Sequence, residues 1–211
     1  INGVVVVPSL ELSATFPISG ISNFYRVDLV RGSGAAGRPL RLRVQPPLND
    51  LEQGAWNQKR LRHWYSVTEF KPEKAVLFQC YRGETASDNQ FEIFNELKRR
   101  QPEIRCYWGD TDGSVEIPDD AERLIIGSQE WYQKLGSVEY LCNNIDFDRF
   151  FTRRGHQKFL QTFHGHPFKA MGKSFWENAG YDRESIDFEI KRRRNAWTTA
   201  LMPNTESVAY Y

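Results

Sequence analysis

From Lys74 onward, short apolar runs alternate with amphipathic segments. AVLFQC (75–80), IRCYW (104–108), RLIIG (123–127), VEYLC (138–142) and KFLQTF (158–163) are bounded by turn residues, which predicts buried strands. Between the first two, Ser87, Asp88, Asn89 and Gln90 have the S-x-x-Q form of a capping box, and Phe91, Phe94 and Leu97 recur every three residues. Lys98, Arg99 and Arg100 then suit a helix C-terminus. A second helix fits between Ser128 and Leu135. Short strands separated by helices predict a parallel sheet covered on both faces, an α/β domain of Rossmann-like type over 74–211.

The first 48 residues follow another rhythm. VVVV before Pro8, LELSATF before Pro17, NFYRVDLV before the Gly32 to Gly37 stretch and RLRV before Pro46 are alternating runs between Gly, Pro and Ser clusters. They predict antiparallel strands, a small β-rich module with no chemical constellation of its own. Residues 49–73 are polar and aromatic, with Leu51, Ala55, Lys59 and Arg62 at helical spacing. This segment predicts a connecting helix, with Trp56, Trp64 and Tyr65 packed at the junction.

Composition narrows the class. Of 211 residues, 40% are apolar and 26% charged, the balance of a folded globular chain of one or two domains. The best apolar run, Val4 to Val7, is far short of the roughly 18 residues that a membrane helix needs. Beginning at Ile1, with no charged leader or signal-like stretch, the chain reads as a piece of a longer polypeptide. Cys80, Cys106 and Cys142 lie in or beside apolar runs and read as buried free thiols suited to a reducing cytoplasm. Total charge is near zero, so it names no partner, nucleic acid included, but it is unevenly placed. Residues 102–148 carry 11 Asp and Glu against 3 Arg and Lys, whereas 149–194 carry 11 Arg and Lys against 5 Asp and Glu. The basic stretch, with Arg149, Arg153, Arg154, Lys158, Lys169, Lys173 and the run Lys191 to Arg194, suits a polyanionic substrate or an anionic membrane surface, or else a solvated face.

In an open parallel sheet, ligands bind beyond the carboxyl ends of the strands. Three loops fall there: YRGETASDN (81–89), whose free N–H groups suit a phosphate, NNIDFDRFF (143–151) and HGHPFKAMGK (164–173). The last concentrates His164, Gly165, His166, Pro167 and Lys169 directly after an apolar run. A histidine there can take a proton near neutral pH and a lysine can neutralise a phosphate, a set suited to chemistry on a hydroxyl and a phosphoryl group. The bland alternative is that His164 satisfies local backbone groups. No carboxylate or cysteine accompanies His164 and His166 at metal-ligand spacing, so no metal is assigned.

The stretch YLCNNIDFDRFFTRRGHQKFLQTFHGHPFKAMG (140–172) resembles the central motif of the CDP-glycerol glycerophosphotransferase family, the teichoic-acid type polymerases and primases. That motif has an asparagine pair, an aromatic and basic stretch, a Gly-Gln step, a strand ending in Gln-Thr-Trp-His-Gly-Thr-Pro, and a lysine. FQCYRGETASDN (78–89) resembles the family's first strand and its Gly-to-Ser-Asp-Asn loop, and AWTTALMPNTESVAYY (196–211) a later strand and turn. Phe163 stands where the family has Trp and His166 where it has Thr, which leaves the polyol and the acceptor open.

The resemblance implies the Rossmann-like acceptor half of a GT-B type transferase, preceded by the β-rich module. It implies transfer of glycerol phosphate or a related polyol phosphate from a CDP-linked donor to a hydroxyl of a lipid-linked acceptor, at the inner face of the cytoplasmic membrane and without a cofactor. His164 would be the general base. Gly165 would allow close approach, Lys169 with Arg153 or Arg154 would contact acceptor phosphate, and Asn143, Asn144 and His166 belong to the same motif. Gly83, Ser87, Asp88 and Asn89 would line the opposite loop. By this likeness the chain stops before the donor half and is inactive alone. Two other readings remain open: a non-catalytic module that binds anionic glycopolymer or membrane, and a GT-B glycosyltransferase with a nucleotide-sugar donor.

Overall fold

The computed structural model describes residues 17–22, 25–31, 40–165 and 172–210; VVVV, LELSATF and the Gly32 to Gly37 stretch lie outside them. A small antiparallel sheet comes first: β1 (Ile18–Ile21), β2 (Arg26–Arg31) and β3 (Leu40–Gln45), in the order β1-β2-β3. Its buried pair is ionic, Arg26 to Asp28 at 2.7 Å, and Arg26 also reaches Asp50 at 2.6 Å on the way into the first helix.

That helix, α1 (Gly54–Val67), leads into β4 (Glu73–Gln79), α2 (Asp88–Arg100), β5 (Arg105–Asp110), β6 (Glu122–Ile125), α3 (Gln129–Ser137), β7 (Val138–Asn143) and β8 (Lys158–Gln161). The helices α4 (Gly172–Asn178) and α5 (Arg183–Ala196) precede the short strand β9 (Thr199–Ala200). Six strands form one sheet in the order β6-β5-β4-β7-β8-β9, every pair parallel. All five predicted strands are present, and so is the sheet covered on both faces.

Side-chain alternation sorts the core into two layers. Ala75, Leu77, Tyr107, Leu141 and Phe159 face α1, α3 and α5, where Leu61, Tyr65, Trp131, Leu135 and Ala196 close over them. Val76, Phe78, Cys106, Trp108 and Cys142 face α2, whose Phe94 stands edge-on to both Phe78 and Trp108. The three cysteines are buried free thiols, and burial pushes Cys106 up to about 11 and Cys142 to about 12. The connection from β7 to β8 has no helix. Phe147 and Phe151 pack on Phe159 instead, and the buried Gln157 carboxamide donates to the carbonyls of Leu135 and Val138.

Three expectations are corrected. Trp56 is 74% exposed and Leu51 70%, because the helix starts only at Gly54 and turns Leu61 and Tyr65, an i,i+4 pair, toward the sheet. The capping box does not form: Ser87 is the N-cap of α2 without a side-chain cap bond, while Gln90 is fully buried and donates to Thr162 Oγ1 at 2.7 Å. The strand predicted to run through Phe163 ends at Gln161, since Phe163 takes a left-handed φ of 53°. Periodicity also misses α5, whose buried face mixes Ile186 and Ala196 with the carboxylate Glu189.

At the start of β4, Glu73 accepts from Lys134 at 2.8 Å and from Tyr107 at 2.7 Å. Burial alone would raise its carboxyl, but these bonds and the charges of Lys134 and Arg105 outweigh it and hold the group below its ordinary value. A lowered carboxylate stabilises the fold above its unfolded-state pKa of about 4.3, and the contribution is lost as acid titrates it in the folded protein. Urea melts of Glu73→Gln against wild type should therefore show a stability gap at neutral pH that closes in acid.

Candidate active site

The strand order places a topological switch point between β4 and β7, where successive connections leave in opposite directions. The loop after β4 is unusual there: Tyr81, Arg82 and Gly83 have φ of 44°, 61° and 90°, three left-handed residues in a row. Each non-glycine in that region costs on the order of 1–2 kcal/mol, so surrounding contacts must impose the turn. Those contacts are visible. The Tyr81 N–H donates to Asn144 Oδ1 at 2.9 Å, and Thr111 donates through Oγ1 to the Arg82 carbonyl and through N–H to the Gly83 carbonyl. At φ 90° Gly83 has a conformation that favours glycine, and a Cβ there would crowd Ile126 Cδ1 at 2.4 Å and the Gly109 carbonyl at 3.1 Å. Asn144, itself buried, spends its amide on Asp88 Oδ2 at 2.9 Å and on Cys80 Sγ. Asp88, left-handed at φ 62°, also accepts from the Tyr81 hydroxyl at 3.2 Å, and burial together with the Asp88 charge raises the Tyr81 phenol.

The loop after β8 is pinned from three sides. Gln90 holds Thr162 Oγ1, the Thr162 N–H donates to the Asn143 carbonyl at 3.0 Å, and the Phe163 N–H donates to Gln161 Oε1 at 3.0 Å. Phe163 is buried edge-on against Trp197. The next residue, His164, is thereby turned outward with its ring centroid 5.6 Å from that of Tyr81. Its imidazole makes no hydrogen bond to the described residues, so it is open to a substrate proton.

His164 lies on a cleft of about 380 Å³ with Arg82, Asn144, Asp146, Phe163, Trp176 and Tyr181. Arg149, Arg192 and Arg193 supply cations on the far wall, positioned by carboxylates. Glu189 meets Arg149 at 2.8 Å and Arg192 at 3.0 Å, while Asp146 meets Arg193 at 2.9 Å and accepts from the Trp197 indole. The guanidinium of Arg193 lies 4.8 Å over the Trp176 ring. A larger cleft of about 610 Å³ lies between Tyr25, Val44 of the small sheet and residues 112–116; among the described residues it is lined by no histidine and by one cation, Arg123, which is committed to Asp110. The cleft at the switch point is therefore the candidate site. Among the described residues no three His, Cys, Asp or Glu side chains gather as metal ligands.

The structure gathers Asp88, Asn144 and His164 around Tyr81, with Gly165 (φ 140°) following. Gly83 is a packing glycine beneath the turn, and Ser87 bonds to Thr85 at the foot of α2, beside Asn89. Asn143 is fully buried; its Oδ1 accepts from the Ile145 N–H and its Nδ2 has no partner among the described residues. Of the N–H groups in the loop after β4, those of Tyr81, Gly83 and Glu84 are spent on Asn144, Cys80 and Tyr81, while the first turn of α2 has no side-chain cap from Ser87. Arg153 and Arg154 precede β8 and so lie at the opposite end of that strand from His164. Arg153 binds the carbonyls of Gln157 and Asn195, and Arg154 binds the Tyr65 carbonyl with its guanidinium 4.9 Å over the Tyr65 ring. His166 and Lys169 lie outside the described residues. Sequence reasoning missed Tyr81, Arg82, Asp146 and Glu189; the available signal was position, since Tyr81 and Arg82 follow the first strand at the switch point.

The profile of the family described as CDP-glycerol:poly(glycerophosphate) glycerophosphotransferase matches residues 62–211. The teichoic acid poly(glycerol phosphate) polymerase of Staphylococcus epidermidis is 23% identical over 158 residues, covering 71% of this chain and 22% of that protein. The protein of the same description from Bacillus subtilis is 22% identical over 143 residues, covering 65% and 19%. The chain thus spans about a fifth of the length of these relatives. Among solved structures, the wall teichoic acid polymerase TagF superposes with a TM-score of 0.65 at 22% identity, over 72% of this chain and 39% of TagF. One TagF structure in that group was soaked with CDPG.

Removing the Asn144 carboxamide leaves the Tyr81 N–H and one Asp88 bond unsatisfied. Asn144→Ala should cost about 1–3 kcal/mol in a denaturant melt. It should also move the His164 imidazole resonances in an NMR spectrum, since Tyr81 is then released.

Proposed function

This chain belongs to the CDP-glycerol:poly(glycerophosphate) glycerophosphotransferase family, and from that premise we propose that it is the acceptor-side half of such a transferase. The reaction moves glycerol phosphate, or a related polyol phosphate, from a CDP-linked donor to a hydroxyl of a membrane-anchored acceptor in teichoic-acid or capsule-like polymer synthesis. The observation that carries the reading is His164, open in the cleft at the switch point of a chain whose family match covers that whole region.

His164 takes the proton of the acceptor hydroxyl as its oxygen attacks the phosphorus that bears the polyol. The new oxygen–phosphorus bond forms as the bond to the bridging pyrophosphate oxygen breaks, and the cytidine monophosphate leaves with that electron pair. Negative charge grows on the phosphoryl oxygens, and arginines fixed on the cleft wall stabilise it without reorganising. Asn144 and Asp88 act one step back, by holding Tyr81 against the imidazole.

The donor nucleotide is bound mainly by the other half of such a transferase. The division into a β-rich module at 1–48, a connecting helix at 49–73 and the Rossmann-like half at 74–211 belongs to the same proposal, as does a location on the inner face of the cytoplasmic membrane, where a lipid-linked acceptor is met. No helix among the described residues is long and apolar enough to cross a membrane.

The test is transfer from radiolabelled CDP-glycerol to a lipid-linked acceptor by the full-length protein and its His164→Ala variant, with CDP-ribitol and nucleotide sugars as competing donors. Loss of a general base should lower the rate about 10²–10⁴-fold. Undiminished transfer by the variant would remove His164 from the chemistry, and use of nucleotide sugars alone would make the protein a glycosyltransferase.

A further inference from the structure

The cleft around His164 holds four arginines and three carboxylates, and the carboxylates are all claimed. Asp146 holds Arg193, Glu189 is shared by Arg149 and Arg192, and Asp148 faces Arg62 at 4.0 Å. Arg82 is the exception: it is exposed, lines the same cleft, and its guanidinium has no carboxylate, carbonyl or ring partner among the described residues. Its backbone is the opposite of free. The left-handed turn is fixed by Asn144 on one side and by both donors of Thr111 on the other, so the residue is held rigidly while its side chain is left unpaired. A strained backbone that displays an unpaired cation at a switch point serves a ligand better than it serves the fold.

The ligand chemistry follows from the neighbours. Arg82 adjoins Tyr81, whose ring packs on His164, and Arg82 and His164 line one cleft, so an anion on the guanidinium shares that cleft with the imidazole. In a polyol-phosphate chain the terminal hydroxyl and the last phosphodiester are the two ends of one polyol unit. A guanidinium grips such a diester through two parallel N–H donors, which a lysine cannot reproduce. We propose that Arg82 is the specificity-determining contact for the last phosphodiester of the acceptor, selecting a charged polyol-phosphate end over a neutral polyol; this rests on the transferase reading above. It replaces Arg153 and Arg154, which the fold places at the far end of β8, as the acceptor-phosphate contact.

The test is calorimetric titration of the 211-residue chain with a synthetic glycerol-phosphate trimer and with uncharged triglycerol, at low and high salt. Arg82→Gln should weaken trimer binding about tenfold and flatten its salt dependence, leaving triglycerol unchanged. Arg82→Lys should recover the salt dependence but only part of the affinity. Because Arg82 is exposed and has no partner among the described residues, matching circular dichroism spectra are expected for all three proteins. Equal trimer affinity in wild type and Arg82→Gln overturns the proposal, and so does a wild-type chain that does not bind the trimer. In the full-length protein, His164-dependent transfer with an acceptor KM unchanged by Arg82→Gln overturns this contact and leaves the transferase standing. Absence of transfer alongside Arg82-dependent trimer binding does the reverse.

Discussion

The carboxamide of Asn144 closes the seam on which this molecule depends. In a parallel sheet the first strand and the one beside it send their chains to opposite faces, which opens a crevice lined by backbone that neither strand satisfies. Asn144, first residue after β7, fills it with both ends of its amide: the oxygen takes the Tyr81 N–H, and the nitrogen reaches Asp88 and the Cys80 sulfur. With that bond in place the chain after β4 is held in a left-handed turn that Tyr81 and Arg82 would not choose. Without it, nothing on the β7 side would hold the turn to the sheet.

Everything at the cleft is built outward from this seam by the same device, a buried amide fixing an exposed reactive group. Gln90 lies fully buried in the first turn of α2 and holds Thr162; Gln161 holds the Phe163 N–H; between them His164 is directed to solvent with Tyr81 at its side. Neutral amides suit the task because they donate and accept in the low-dielectric interior without the desolvation cost of a charge. The charged groups stand one layer further out, where Glu189 and Asp146 fix three arginines before any anion arrives. Such pre-organised cations stabilise developing charge more than mobile ones would.

The strands and their order of appearance were legible because apolar runs bounded by turn residues report burial directly, and AVLFQC, IRCYW, RLIIG, VEYLC and KFLQTF each became a strand within about two residues of the expected ends. The failures share one cause. Gln90 fits the local grammar of a capping box, Trp56 that of a packed aromatic, and Arg153 and Arg154 that of a phosphate clamp. Gln90 was decided by a partner distant in sequence, Trp56 by which face of α1 meets the sheet, and Arg153 and Arg154 by the end of the strand they precede. Glu189 hides the helix α5 for a related reason, because its burial is made tolerable by Arg149 and Arg192, and a charged position reads as an exposed one until its partners are known.

By itself the sequence determined the α/β class, the strand segments, the buried cysteines and, through the His-Gly-x-Pro context, the family and the histidine at its centre. Those are properties of short segments: hydrophobic periodicity and a contiguous motif survive being read one residue at a time. Which loops share the cleft was decided only by the strand order β6-β5-β4-β7-β8-β9, which brings Tyr81, Asn144 and His164 together from positions up to 83 residues apart. The same order sends Arg153 and Arg154 to the other end of β8 and leaves Arg82 at the cleft without a counter-ion among the described residues. Charge pairing and orientation are pairwise properties in space, and a linear chain does not carry them until the sheet has closed.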